Sequence, residues 1–282
     1  MVVAVRQLNK AYGRVQVLKG LDMSVEAGQV YGFLGRNGAG KSTTLRILVG
    51  ILEIGAGTVE LFGQPMSSQD TELRQRIGYV AQEQNFYPWM TPHSIGRFVR
   101  GFYPTWNDEE YARLVQTMEL PAERPIGTFS GGMKAKQALA LALAHKPPLL
   151  VLDEPTAGLD PVARREFLEI VREQTRDDGH TVLFSSHLVE EVERVAHRLG
   201  IIEGGQMAYE GSLAELRSQV RMLRLPAEDE TTFADFTVYT DRIREGERQV
   251  VLRTLDPSVF ANLEGLEELS LEDIFVEMVT HS

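Results

Sequence analysis

Gly35-Arg36-Asn37-Gly38-Ala39-Gly40-Lys41-Ser42 sets two glycines, four residues apart, ahead of a lysine and a serine. This is the pattern of a phosphate-binding loop. A glycine has no Cβ to hold a phosphate away from the backbone, so the loop N–H groups can converge on an anion. Lys41 adds a point charge suited to β- and γ-phosphates, and Ser42 a hydroxyl suited to Mg²⁺. The flanks agree. Val30 to Leu34 reads as a buried strand, and Ser42-Thr43-Thr44 opens a helix that stops at Gly50. A helix N-terminus aimed at the loop favours negative charge there. The expected phosphate cradle therefore runs from Gly35 to Thr43.

Other residues can do chemistry beside such a loop. Leu149-Leu150-Val151-Leu152 is an apolar run that ends in Asp153-Glu154. With a phosphate loop upstream, the aspartate can complete a Mg²⁺ shell and the glutamate can take a proton from an attacking water. Adjacent carboxylates at a strand end can also be a solvated turn. Thr181 to Ser186 is a further buried strand, with His187 just past its end, where a γ-phosphate sensor or proton carrier can sit. A lone histidine there is more often a helix cap or a surface residue. Gln82 follows the strand Ile77 to Ala81 and can reach a metal and a water through its amide oxygen, although a solvated glutamine is the commoner case. Tyr12 can stack on a base; a surface tyrosine on a turn is the plainer alternative. Ser130-Gly131-Gly132 opens a helix-forming run, giving a second place where backbone N–H groups can hold an anion, though many helix N-caps look the same. Gly158-Leu159-Asp160-Pro161 is a tight turn before an amphipathic helix.

The elements that position these residues alternate strand and helix, which predicts an α/β fold. Strands are expected at Val2 to Leu8, Val15 to Leu18 and Leu21 to Val25, then a turn and a short strand within Gly55 to Gly63, ahead of a polar helix at Thr71 to Arg76. From Glu83 onward the chain changes character. Phe86, Tyr87, Trp89, Phe98, Phe102, Tyr103, Trp106 and Tyr111 crowd a stretch broken by prolines. This predicts a helical subdomain over about 83–147 whose aromatics are either its own core or an exposed docking face. Leu199 to Ile202 and Gln206 to Tyr209 read as a closing hairpin. Beyond Gly211 a capped helix start at Ser212, an acidic stretch Glu228-Asp229-Glu230, two weak strand patterns and a final amphipathic helix, Ser270 to Val279, suggest a small accessory domain or tail.

Composition narrows the function classes. The chain has 282 residues, 43% of them hydrophobic, enough for one large domain and a small one. It has no cysteine, so disulfides, thiolate zinc sites and cysteine nucleophiles are excluded. A formal charge of −11 argues against nucleic acid as a partner. Met1-Val2-Val3-Ala4-Val5-Arg6 does not read as a signal peptide, and no uncharged apolar run approaches a membrane span. A cytoplasmic location is expected, with membrane contact only through another chain.

Taken together, the order of these motifs resembles the nucleotide-binding subunit of an ATP-binding cassette (ABC) transporter of the bacterial export type. The resemblance covers roughly Val2 to Leu213. It implies a phosphate-loop NTPase core with an antiparallel β-subdomain and an inserted helical subdomain, so an ATPase domain over 1–212 and an accessory region over 213–282. It implies that ATP and Mg²⁺ are bound, that Tyr12 stacks on adenine, and that Gln82 links metal and water to a membrane domain. It further implies that Ser130, Gly131 and Gly132 bind the γ-phosphate held by a second, head-to-tail subunit, identical or not. Asp153 becomes the metal-shell aspartate, Glu154 the catalytic glutamate, Asp160 an aspartate at the subunit interface and His187 the switch histidine. The implied partner is a separate multi-span transmembrane subunit, which would hold the chain on the inner face of the cell membrane. Phe129 and Lys134-Ala135-Lys136 depart from the family's usual leucine and basic pair. The competing expectation is a soluble ABC ATPase acting on ribosomes or DNA, but those typically carry two cassettes or a basic surface.

Overall fold

The computed structural model describes residues 1–67 and 69–280. In chain order the first part forms β1 (Val3–Tyr12), β2 (Val15–Val25), β3 (Val30–Leu34), α1 (Lys41–Leu48), β4 (Ala56–Leu61), β5 (Gln64–Pro65), α2 (Thr71–Gln75) and β6 (Ile77–Val80). Three helices follow, α3 (Pro92–Val99), α4 (Asp108–Thr117) and α5 (Gly131–Leu143). The chain then returns through β7 (Leu149–Asp153), α6 (Pro161–Asp178), β8 (Thr181–Ser186), α7 (Val189–Val195), β9 (Arg198–Glu203) and β10 (Gln206–Ser212). It ends with α8 (Leu213–Gln219), β11 (Val220–Pro226), β12 (Thr237–Arg244), β13 (Glu247–Arg253), β14 (Leu266–Glu268) and α9 (Leu271–Thr280).

The central sheet has the order β10-β9-β3-β8-β7-β6, parallel except for the β10 edge. Its inner strands are unbroken apolar runs because both faces are covered. Alternate side chains feed two separate cores. Val30, Leu34, Leu150 and Leu152 point to one, shared with α4 to α7. Tyr31, Phe33, Leu149 and Val151 point to the other, shared with β1, β2 and α1. The second sheet, β2-β1-β4-β5, is antiparallel and caps that second core.

Two sequence expectations change here. Val15 to Leu18 and Leu21 to Val25 are one strand, β2, because Gly20 is absorbed as a bulge at φ 75° rather than as a turn. Tyr12 lies at the end of β1, opposite Val15, and the turn is made by the residues between them.

The aromatics after Gln82 divide between buried and exposed positions. Tyr111 is buried, donates its hydroxyl to the Pro92 carbonyl at 2.7 Å and accepts from Gln137 Nε2 at 2.9 Å. Phe86 and Trp106 pack partly into the same core. Tyr87, Trp89, Phe98 and Phe102 are exposed, Trp89 by 71%.

The C-terminal part is more structured than two weak strands suggested. It forms a third antiparallel sheet, β12-β13-β11-β14, with a small core of Leu223, Val250, Leu252 and Phe260. No turn residue separates α8 from β11, so the change from helix to strand has no local marker. The last helix, α9, is not a free tail: Leu271, Ile274, Phe275, Met278 and Val279 join the larger core with Val192 and Val195 of α7. Glu277 ties α9 to β12, accepting from Arg242 at 3.1 Å and from the Thr240 hydroxyl.

Candidate active site

The carboxyl ends of the parallel strands gather the chemistry, as expected where ligands bind open α/β sheets. β3 leads into the glycine loop, β6 into Gln82, β7 ends at Asp153 and β8 is followed by His187. Register sets Asp153 beside Ser185 on neighbouring strands.

Gly40 precedes α1 at φ 114°, and a Cβ there would lie 2.6 Å from Leu18 Cδ2. Only glycine lets the loop turn into the helix while pressed against β2. Lys41 is buried. Its ammonium reaches the Gly35 carbonyl at 2.7 Å, the Arg36 carbonyl at 3.2 Å and Glu154 Oε1 at 2.9 Å. The other oxygen of Glu154 lies 2.9 Å from His187 Nδ1. Lysine, glutamate and histidine thus form one chain of contacts across three strand ends. Glu154 sits at φ 44°, an unusual conformation for a non-glycine residue and one that aims its carboxylate at the loop.

Ser42 Oγ donates to Asp153 Oδ1 at 2.8 Å, and Ser185 Oγ donates to the same oxygen at 3.1 Å. The second oxygen, Oδ2, is buried without a hydrogen-bond partner. Burial raises the Asp153 carboxyl above its ordinary range, against the lowering effect of the two hydroxyls. Ser42 and Asp153 set a hydroxyl and a carboxylate side by side, oxygen donors of the kind a small hard divalent cation takes, and Gln82 lines the adjoining pocket. Among the described residues no cluster of three His, Cys, Asp or Glu side chains suits a metal by itself. Gln82 and Thr43 line an open pocket of about 360 Å³ with Asn37, Lys41, Ser42 and Glu154. On the outer side of the loop, Arg36, Asn37, Gly38 and Ala39 border a second hollow of about 560 Å³ with His187.

The remaining predicted residues lie elsewhere. Tyr12 is 47% exposed, with the Lys10 ammonium 5.9 Å from its ring centre. It stands on the β1–β2 hairpin whose Val17 lines the loop pocket. Ser130 caps α5 by accepting from the Met133 N–H at 3.2 Å. Among the described residues Ser130, Gly131 and Gly132 line neither loop hollow, and Ser130 and Gly131 are exposed. Gly132 abuts α6, where an added Cβ would fall 2.8 Å from Ala163. Asp160 caps α6, its Oδ1 accepting from the N–H groups of Val162 and Ala163 at 3.0 Å each.

Sequence reasoning missed two participants. Ser185 is fully buried, donates to Asp153 and accepts from the Glu154 N–H at 3.0 Å. Its signal was a polar pair, Ser185-Ser186, ending an otherwise apolar strand. Phe275 of α9 borders the outer hollow beside the loop and His187, and nothing local marks it.

Known proteins resemble this chain in sequence and in fold. The family model described as ABC transporter matches residues 18–157. The linearmycin resistance ATP-binding protein LnrL of Bacillus subtilis is 38% identical over 76% of this chain and 70% of its own length. The Nod factor export ATP-binding protein I of Burkholderia lata is 41% identical over 73% of this chain and 69% of its own. The ABC transporter ATP-binding protein YtrB of Bacillus subtilis is 29% identical over 98% of this chain and 97% of its own, so the similarity extends through the third sheet and α9. A solved ATP-binding subunit of an ABC transporter superposes with a TM-score of 0.69 at 29% identity, over 77% of this chain and 92% of that one. A dimeric ATP-binding cassette in a post-hydrolysis state with ADP and Pi does so at 0.66 and 26%, over 75% of this chain and 98% of that one.

Proposed function

The chain belongs to the ABC transporter ATP-binding family and is an ATP-hydrolysing subunit of such a transporter, and on that premise we propose how its residues divide the work. The observation that carries the proposal is the contact chain Lys41–Glu154–His187 beside the unpartnered Asp153 oxygen.

The loop Gly35–Thr43 binds the ATP phosphates through its backbone N–H groups and Lys41. Ser42, Asp153 and Gln82 would hold Mg²⁺, which would offset charge on the β- and γ-phosphates. Tyr12, exposed at its hairpin end, stacks on the adenine. Before ATP arrives, the Lys41 charge is engaged by Glu154. The phosphates compete for Lys41, and Glu154 is released toward the γ-phosphate, where it accepts a proton from the attacking water. His187 keeps its contact with Glu154 and senses the γ-phosphate.

One chain does not complete the site. Ser130 and Gly131 stand exposed, and with Gly132 they line neither loop hollow, which supports a head-to-tail pair in which each cassette presents them to the other's γ-phosphate, with Asp160 at the seam. ATP closes the pair and hydrolysis opens it. A dimeric cassette holding ADP and Pi among the solved structures supports the same reading.

The motion passes to a separate transmembrane subunit. Among the described residues no helix is long and apolar enough to cross a membrane. Gln82 leads directly into the exposed Tyr87–Trp89 pair, whose rings lie 5.1 Å apart. Exposed aromatics of this kind anchor interfaces. A groove of about 500 Å³ nearby, bordered by Ile51, Tyr79, Val99 and Phe102, separates the core from the helical subdomain and suits a short partner helix. The chain is thus peripheral on the inner face of the cell membrane. Relatives named for linearmycin resistance and Nod factor export support outward movement of substrate. The chain divides into an ATPase domain over 1–212 and an accessory region over 213–282 that α9 straps back onto it.

The test compares two variants. Lys41→Ala weakens ATP binding to the monomer itself. Ser130→Arg leaves monomer ATP affinity close to wild type and blocks ATP-dependent dimerisation, read by light scattering, and hydrolysis. Loss of monomer ATP binding in Ser130→Arg would refute the shared site.

A further inference from the structure

We propose that Glu191 is a positioning residue for hydrolysis, holding the backbone segments that carry Glu154, Asp160 and His187 in fixed relation. The proposal rests on the roles given above to Glu154 and His187.

Glu191 is on α7, away from the loop, and only 3% exposed. Its carboxylate is fully engaged by groups from three other segments. Oε1 accepts from the Thr156 hydroxyl at 2.7 Å, and Thr156 lies two residues after Glu154. Oε2 accepts from the Ser186 hydroxyl at 2.5 Å, and Ser186 immediately precedes His187. Oε1 also lies 3.2 Å from Arg164 Nε on α6. The Arg164 guanidinium extends to the Leu159 carbonyl at 3.5 Å, next to Asp160. One buried carboxylate therefore touches, directly or at one remove, both connections that follow β7 and β8.

A charged group with this little exposure is retained only where hydrogen bonds and a counter-charge satisfy it. Here those partners are spent on loops rather than on core packing. The Glu154–His187 contact depends on two turns that have no backbone ladder between them beyond the strand ends, since register pairing stops at Asp153 opposite Ser185. Past that point the Glu154 N–H bond to Ser185 Oγ ties the strand ends, and Glu191 supplies the cross-link between the turns themselves. Positioning errors on the order of 1 Å cost about 100-fold in rate, so the cross-link bears on turnover and not on ground-state phosphate binding, which belongs to the loop and Lys41.

The experiment uses the full chain and reads kcat, KM for ATP and melting temperature for Glu191→Gln, Thr156→Val and Thr156→Ser, with Glu154→Gln alongside. Thr156→Val keeps the shape and removes one hydroxyl, so it tests the proposal even where Glu191→Gln folds poorly. Glu191→Gln and Thr156→Val are expected to lower kcat about 10- to 100-fold with KM changed less than about threefold. Thr156→Ser, which restores the hydroxyl, is expected to recover most of the loss. Glu191→Gln added to His187→Ala should cost little more than His187→Ala alone, because both act on one contact. If Glu154→Gln abolishes turnover while Thr156→Val and Glu191→Gln keep wild-type kcat, the positioning role fails and the active-site reading stands. If Thr156→Ser is as impaired as Thr156→Val, or kcat and KM worsen together with the melting temperature, Glu191 is only structural. If Glu154→Gln turns over normally, the active-site reading and the positioning role fall together.

Discussion

Glu154→Gln tests the ion pair at the centre of the site. The Lys41 and Glu154 side chains are 3% and 7% exposed and meet at 2.9 Å. Removing the carboxylate charge leaves a buried ammonium with neutral acceptors alone, the Gly35 and Arg36 carbonyls and the new amide oxygen. Breaking a buried pair by removing one partner costs about 3–5 kcal/mol, and because glutamine keeps an acceptor of the same shape the lower end, about 3 kcal/mol, applies. At about 2–4 °C per kcal/mol for a chain of this size, the nucleotide-free variant should melt about 6–12 °C lower. ATP brings its own negative charge to Lys41, so the deficit should vanish when the site is filled. By linkage the recovered free energy appears as affinity: about 3 kcal/mol corresponds to roughly 100-fold tighter ATP binding. Turnover falls about 10²- to 10⁴-fold with the loss of the general base. Melting curves with and without nucleotide and calorimetric titration, with a non-hydrolysable ATP analogue for both proteins, measure each part. An unchanged nucleotide-free melting temperature together with unchanged or weaker binding would refute the claim that ATP and Glu154 compete for Lys41.

Asp153→Asn should act in the opposite direction on stability. Burial raises this carboxyl, so the folded state keeps its proton to higher pH than the unfolded state, and stability falls as pH rises from about 4 through the raised value. Asparagine removes that penalty while still accepting from Ser42. The nucleotide-free variant should melt higher than wild type at pH 7, converge with it near pH 4, and lose Mg²⁺-dependent turnover; a lower melting temperature at pH 7 would contradict the cause assigned to the shift. Trp89→Ala should leave the melting temperature within about a degree, since the ring is 71% exposed, whereas deletion of a core aromatic costs about 3–5 kcal/mol. The same variant should weaken co-purification with the transmembrane subunit, and an unchanged pull-down would remove Trp89 from the docking surface.

The sequence by itself determined what is local. Glycine spacing and a following lysine and serine specify a phosphate loop wherever they join a strand to a helix. An apolar run ending in Asp153-Glu154 specifies a strand whose last residues are polar. Ser130, Asp160 and Ser212 announce helix starts because a cap bonds backbone groups two or three residues away. Tertiary structure alone decided the pairings. Ser42 meets Asp153 across 111 positions, and Thr156 meets Glu191 across 35. Both contacts follow from the order and register of parallel strands, which no short stretch of chain encodes. The split of the aromatics is of the same kind. Periodicity tells that a ring is apolar, but only packed neighbours decide that Tyr111 is buried while Trp89 is bare. The third sheet and the return of α9 were illegible for that reason as well. An amphipathic helix states that one face must leave water, and the partner that covers it is chosen by the global fold.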